Sequence, residues 1–376
     1  MTLPPTDPSA RLPEKRPLSL LALAVVLLIL GVILTPSLLI KLGPMRGSLT
    51  HPNPMVQRTT HLEVNVLRAL CLAGGAVLVL VFAAWRSFRD SRLVAGVLDY
   101  PLNETDDRRQ RRVNNGSLWL MLASVVLWIV YLKVGAYVFS PSAIAFINRE
   151  DGVVEGGTAL CFLIASIEAA VLALRSRYKP RKLFAFVLAV GFFMCMGEEM
   201  SWGQHIFGWK TPEAMAHVNV QAETNLHNMS GYFADHVFIA GTLLYGGIVP
   251  IMAAVSPVWR RIFGHFGVVV GTVGLAVGFI VVTLNQPYLI GKWIGHKDAL
   301  VTEDPHGRKV NHPDPNSDGR PQNPIRIQEG RELLSGLGYA VLIFEALAAL
   351  RRATASEREG VAVDSASSAR AVPTAP

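Results

Sequence analysis

Apolar residues in this 376-residue chain gather in unbroken runs, without the alternation of a half-buried strand or the single stripe of a surface helix. The runs fall at about 17–40, 66–85, 118–139, 153–174, 183–202, 236–255, 265–290 and 332–350. About 20 residues, at roughly 1.5 Å each, cross the roughly 30 Å of bilayer hydrocarbon. The pattern therefore predicts an all-α polytopic transmembrane helix bundle of about eight spans over residues 17–350, with outer loops 201–235 and 291–331. The first run follows Arg11, Lys15 and Arg16 but is long for a signal peptide and lacks a small-x-small cleavage pattern, so it reads as a retained anchor. Residues 1–16 and the Pro/Ser/Ala-rich stretch 351–376 have too little apolar content to fold and read as disordered tails.

Composition agrees, since 51% of residues are hydrophobic and only 17% charged, against about a quarter in soluble domains. Cys71, Cys161 and Cys195 all lie inside apolar runs, which excludes a disulfide framework. The net charge of +7 does not point to nucleic acid, because the basic residues sit beside the runs, where topology and anionic lipid account for them. Cytoplasmic loops carry the Lys/Arg excess. Arg86 to Arg112, Arg175 to Lys182, Arg260 and Arg261, and Arg351 to Arg358 then mark the inner side, so both termini are expected in the cytoplasm. Gly267, Gly271, Gly274 and Gly278 in the seventh run read as close helix packing.

An ionisable side chain in a bilayer costs a few kcal/mol or more unless it faces a polar interior, so those near a span are functional candidates. Here they gather at one face. Glu155 opens the fourth run, Glu198 and Glu199 close the fifth, and Glu329 and Glu332 open the eighth; the loop 201–235 adds His205, Glu213, His217, Glu223, His227 and Asp235. If the fifth helix continues, Glu198, Ser201, Trp202 and His205 stand at i, i+3, i+4 and i+7 and share a face. Glu198 or Glu199 suits a general acid/base, with Ser201 and Glu155 beside it. His205, Glu223 and His227 are candidate ligands for a divalent transition metal, since imidazole and carboxylate suit zinc, iron or manganese and Glu223/His227 are i, i+4. A plain helical ion pair gives the same spacing. Asp314, Asn316 and Asp318 with Gly319 match the first half of a calcium loop, but Ile325 holds the closing position and Pro321 and Pro324 follow, so a solvated turn is the better reading. Lys133, Glu168 and Glu345 lie near span ends and are expected to snorkel to the interface.

The run GEEMSWGQHIFGWKTPE (Gly197 to Glu213) with NVQAETNLHN (Asn219 to Asn228) resembles a stretch of uncharacterised bacterial multi-pass membrane proteins. The resemblance implies a multi-pass protein of the bacterial cytoplasmic (inner) membrane and brings no activity with it. Ser201-x-x-x-His205 is similar to half of the signature of ceramidase-like membrane hydrolases, but the seventh and eighth runs contain no histidine. Glu198-Glu199 is similar to the start of the CAAX-protease EExxxR motif, with Gly203 in place of its Arg. The expectation is a membrane-embedded hydrolase or group transferase acting on a lipid or lipid-linked substrate. The alternatives are a proton- or cation-coupled transporter, for which Gly74-Gly75 and Pro250 are candidate helix breaks, and a non-catalytic accessory subunit.

Overall fold

The computed structural model describes residues 12–43, 45–52, 54–102, 107–148, 152–213, 224–226, 233–284, 301–303, 309–311 and 327–370. The first eleven residues, stretches 214–223 and 227–232 of loop 201–235, and the calcium-like turn lie outside them. The main helices are α1 (Leu18–Ile33), α2 (Pro36–Leu42), α3 (Pro54–Ala83), α4 (Asp107–Val138), α5 (Val153–Arg175), α6 (Lys179–Glu199), α7 (Phe233–Val255), α8 (Pro257–His265), α9 (Val273–Thr283) and α10 (Ile327–Arg370). Six of them (α3 to α7 and α10) contain stretches long and apolar enough to cross a membrane, and α1 with α2 makes a seventh if that bent pair is one span. The chain is a helical protein of the multi-pass membrane type.

Three elements depart from the hydropathy reading. The first run bends by 81° between α1 and α2. Pro36 disfavours helical backbone at Thr35, whose hydroxyl instead accepts from Leu38 N at 3.3 Å and starts a new helix. The seventh run leaves the helix after α8, turns at Gly267 (φ 70°), and resumes only as the 11-residue α9, capped by Thr272. At Gly267 a Cβ would collide with the backbone of Pro180 and Arg181, so the turn lies directly on the start of α6. The stretch expected to be disordered from residue 351 is helical to Arg370, in keeping with its Ala, Glu and Arg content. A short hairpin pairs Val301–Glu303 with Lys309–Asn311.

The two candidate breaks prove to be packing and a widened turn. α3 runs unbroken through Gly74-Gly75, and Gly75 and Gly31 let α1 and α3 approach, each meeting a leucine of the other helix. Within α7 the segment Thr242–Ile248 is π-helical ahead of Pro250, which has no N–H to give the regular ladder.

The core is built around α5, which lies between α6 and α10, while α9 packs against α4, α7 and α10. Phe162, Phe192, Phe279 and Tyr339 form an aromatic layer across it, with Tyr339 5.0 Å from both Phe192 and Phe279 by ring centroid. The Tyr339 hydroxyl donates to Thr242 Oγ1 at 3.1 Å. Glu345 does not snorkel: it is 7% exposed, and its carboxylate accepts from Ser117 Oγ, from Thr272 N at 2.9 Å and from Thr272 Oγ1 at 2.9 Å. This buried carboxylate ties α4 and α10 to the start of α9.

Gly330 decides how closely α10 approaches α4, because a Cβ there would overlap the buried indole of Trp128. Helix propensity favours alanine over glycine by about 1 kcal/mol, but overpacking against a rigid ring costs about 1–3 kcal/mol. Gly330→Ala is therefore expected to lower stability by up to about 2 kcal/mol in denaturant titration of the detergent-solubilised protein. A more stable variant would show that α10 does not press on Trp128.

Candidate functional site

The end of α6 is where the fold and the candidate chemistry meet. α6 stops at Glu199, and Ser201 (φ 43°), Trp202 (φ 56°) and Gly203 (φ 82°) follow in left-handed backbone. The helical face expected to carry Glu198, Ser201, Trp202 and His205 does not form. Two consecutive non-glycine residues in this region cost on the order of 1–3 kcal/mol each unless their surroundings fix them. Here the surroundings do. Trp202 folds back over Gly197, where a Cβ would lie 2.8 Å from the indole, and its Nε1 donates to Glu198 Oε1 at 2.8 Å. Asn225, 2% exposed, donates from Nδ2 to Ser201 Oγ at 3.3 Å. Gln204 Oε1 accepts from Thr224 N at 2.7 Å, and Glu198 Oε2 accepts from Leu226 N at 2.6 Å. The segment 224–226 is thereby stitched to the end of α6.

These contacts separate the roles of the adjacent acids. Glu198 is a clamp that holds Trp202 and Leu226. Glu199 instead stands among other carboxylates: the charges of Glu332, Glu329, Glu155 and Glu198 all act on it. Glu155 lies in the first turn of α5, and Glu329 and Glu332 in the first turns of α10, where the positive ends of their helices favour negative charge. Glu199, at the last residue of α6, meets the negative end of its own helix.

Arg331 answers this negative charge from within α10. Only 2% exposed, it donates from a guanidinium nitrogen to Asp235 Oδ1 at the start of α7 and lies 3.8 Å from Glu332 Oε1. Glu332 is further held by Gln328 Nε2 at 3.2 Å. One turn deeper, Ser335 shares the face of Arg331 and Glu332; it is 1% exposed, and its hydroxyl makes no hydrogen bond among the described residues. Beneath it lies Tyr339 with the aromatic layer. Beside Asp235, His236 is paired through Nδ1 with Glu63 of α3.

The structure thus brings together Glu155, Glu198 and Glu199, and turns the buried Ser201 toward Asn225. Of the candidate metal ligands, Glu223, His227 and the side chain of His205 lie outside the described residues. Among the described residues no group of three or more His, Cys, Asp and Glu side chains is placed to hold a metal ion. Asp235, Glu329 and Glu332 were legible as acids at the same face, whereas Arg331 was missed. Its signal was there: an arginine between acids, four residues ahead of a serine on the buried side of an apolar helix. At one end of the apolar bundle the structure places a half-buried carboxyl, a buried cation and a buried hydroxyl, a set of groups that suits proton transfer beside a developing negative charge. Compared with models of protein families, with curated proteins and with solved structures, the chain matches none.

Proposed function

We propose that this chain is a membrane-embedded hydrolase or group transferase of the bacterial cytoplasmic membrane, acting from the non-cytoplasmic side on a lipid or lipid-linked substrate. One observation carries the reading: Glu155 of α5, Glu199 of α6 and Glu329, Arg331 and Glu332 of α10 converge at one end of the bundle, although distant in sequence. Glu199 takes the proton from an attacking water or hydroxyl and returns it to the leaving group. Arg331 offers a guanidinium to a phosphate or developing oxyanion. The clamp of Glu198, Ser201 and Gln204 on residues 224–226 walls the site on one side.

The site's one-sidedness favours chemistry over transport. Alternating access needs a polar route between the two ends, and the layer of Phe162, Phe192, Phe279 and Tyr339 closes the middle of the core. The test is a product search. The purified full chain is placed in vesicles of phosphatidylethanolamine and phosphatidylglycerol carrying a polyprenyl-phosphate lipid, with and without divalent metal, and lipids are followed by mass spectrometry. A product formed by the wild type and lost in Glu199→Gln supports the reading. Unchanged lipids in every mixture contradict it.

A further inference from the structure

At the opposite end of the bundle from the carboxylates lies a cavity of about 660 Å³. We propose that it binds the phosphate of an anionic lipid headgroup. Three arginines line it, Arg111 from α4, Arg181 from α6 and Arg260 from α8, and no Asp or Glu among the described residues does. The remaining wall is largely apolar, with Ala254, Phe263 and Val268 among its residues. Three cations beside hydrocarbon match an amphiphile with a phosphate head, the chemistry that basic pockets between transmembrane helices recognise.

The cavity is held by contacts that fix its arginines from different elements. Gly267 turns directly on the backbone of Pro180 and Arg181, which seats the start of α6 against the α8–α9 connection. The Tyr178 hydroxyl donates to His265 O at 2.5 Å and closes the same corner. Arg260 is braced by donating from Nε to Ala253 O at 3.2 Å, which leaves its terminal nitrogens for a ligand. The nearest buried acid is Glu345, which reaches the connection at Thr272 but spends its oxygens on Thr272 and Ser117. Arginine rather than lysine at all three positions suits bidentate recognition of phosphate oxygens.

The test is native mass spectrometry of the full chain in a neutral detergent, titrated with phosphatidylglycerol, phosphatidylcholine or inorganic phosphate. The wild type is expected to retain one phosphatidylglycerol, with affinity at least about tenfold above Arg111→Gln/Arg181→Gln/Arg260→Gln, given the contribution of each basic residue near a lipid phosphate. Arg175→Gln/Arg177→Gln, at the same end but outside the lining, should bind as the wild type does. Displacement of the lipid by inorganic phosphate identifies the phosphate group alone as the ligand; retention against it identifies the whole lipid. Either supports a phosphate site. Equal retention of phosphatidylcholine, or unchanged binding by the triple variant, overturns it. Should the triple variant not fold, the wild type's preference between the two lipids decides, and no preference overturns the proposal.

Discussion

Arg331→Met is expected to destabilise the protein by about 3–5 kcal/mol in denaturant titration, the loss typical when one partner of a buried ion pair is removed. Arg331 is 2% exposed, and around it stand Asp235 and Glu332, themselves largely covered. Methionine fills much of the volume and removes the charge, so the loss measures electrostatics more than a cavity. Without the cation the two carboxylates keep their desolvation cost and gain their mutual repulsion. Arg331→Lys should recover only part of the loss, since a lysine ammonium does not reproduce the planar, delocalised guanidinium that reaches Asp235 and stands near Glu332. Removing Asp235 as well should cost less than the sum of the single changes. A loss below about 1 kcal/mol, as for a solvated surface pair, would show that Arg331 is not the buried counter-charge described here.

Glu199→Gln is expected to lower turnover by about 10²–10⁴-fold on whichever lipid is converted, the usual loss of a general acid/base, with the fold retained. Glutamine keeps the shape and removes the titratable carboxyl. Glu198→Gln should behave differently. It loses a charge-assisted acceptor for Trp202 Nε1 and Leu226 N, worth about 1.5–3 kcal/mol each, so it should loosen the segment 224–226 and change Trp202 fluorescence more than it changes turnover. Equal rate losses in the two variants would erase the division between clamp and acid.

The spans were legible because length and hydropathy nearly suffice to define a transmembrane helix. Two exceptions were written in the chain but are invisible to hydropathy. Leu-Thr-Pro at 34–36 bends the first run, and Gly267-Val-Val-Val-Gly271 breaks the seventh, where glycine turns and β-branched residues favour extended backbone. The gathering of acids at one face was likewise legible, because each stands at a span end. What could not be read locally is which way each points. The left-handed turn at Ser201 and Trp202 follows from contacts with Gly197 and Asn225, the second of them 24 residues away. Glu345 looked interfacial because hydropathy places it near a span end, yet Ser117 and Thr272, from two other helices' surroundings, supply its donors. Arg331 was hidden for the same reason, since its partner Asp235 is 96 residues away.

If carboxylates of separate helices share one polar volume, Glu199 of α6 and Glu332 of α10 must act on one another, and a double-mutant cycle between them tests this most directly. Stability of the full chain in detergent is measured for the wild type, Glu199→Gln, Glu332→Gln and the double variant. Groups that act on one another are expected to be non-additive by about 0.5–3 kcal/mol, the second substitution relieving less repulsion once the first is made. Additivity within about 0.5 kcal/mol would place the two acids in separate surroundings and contradict the shared site.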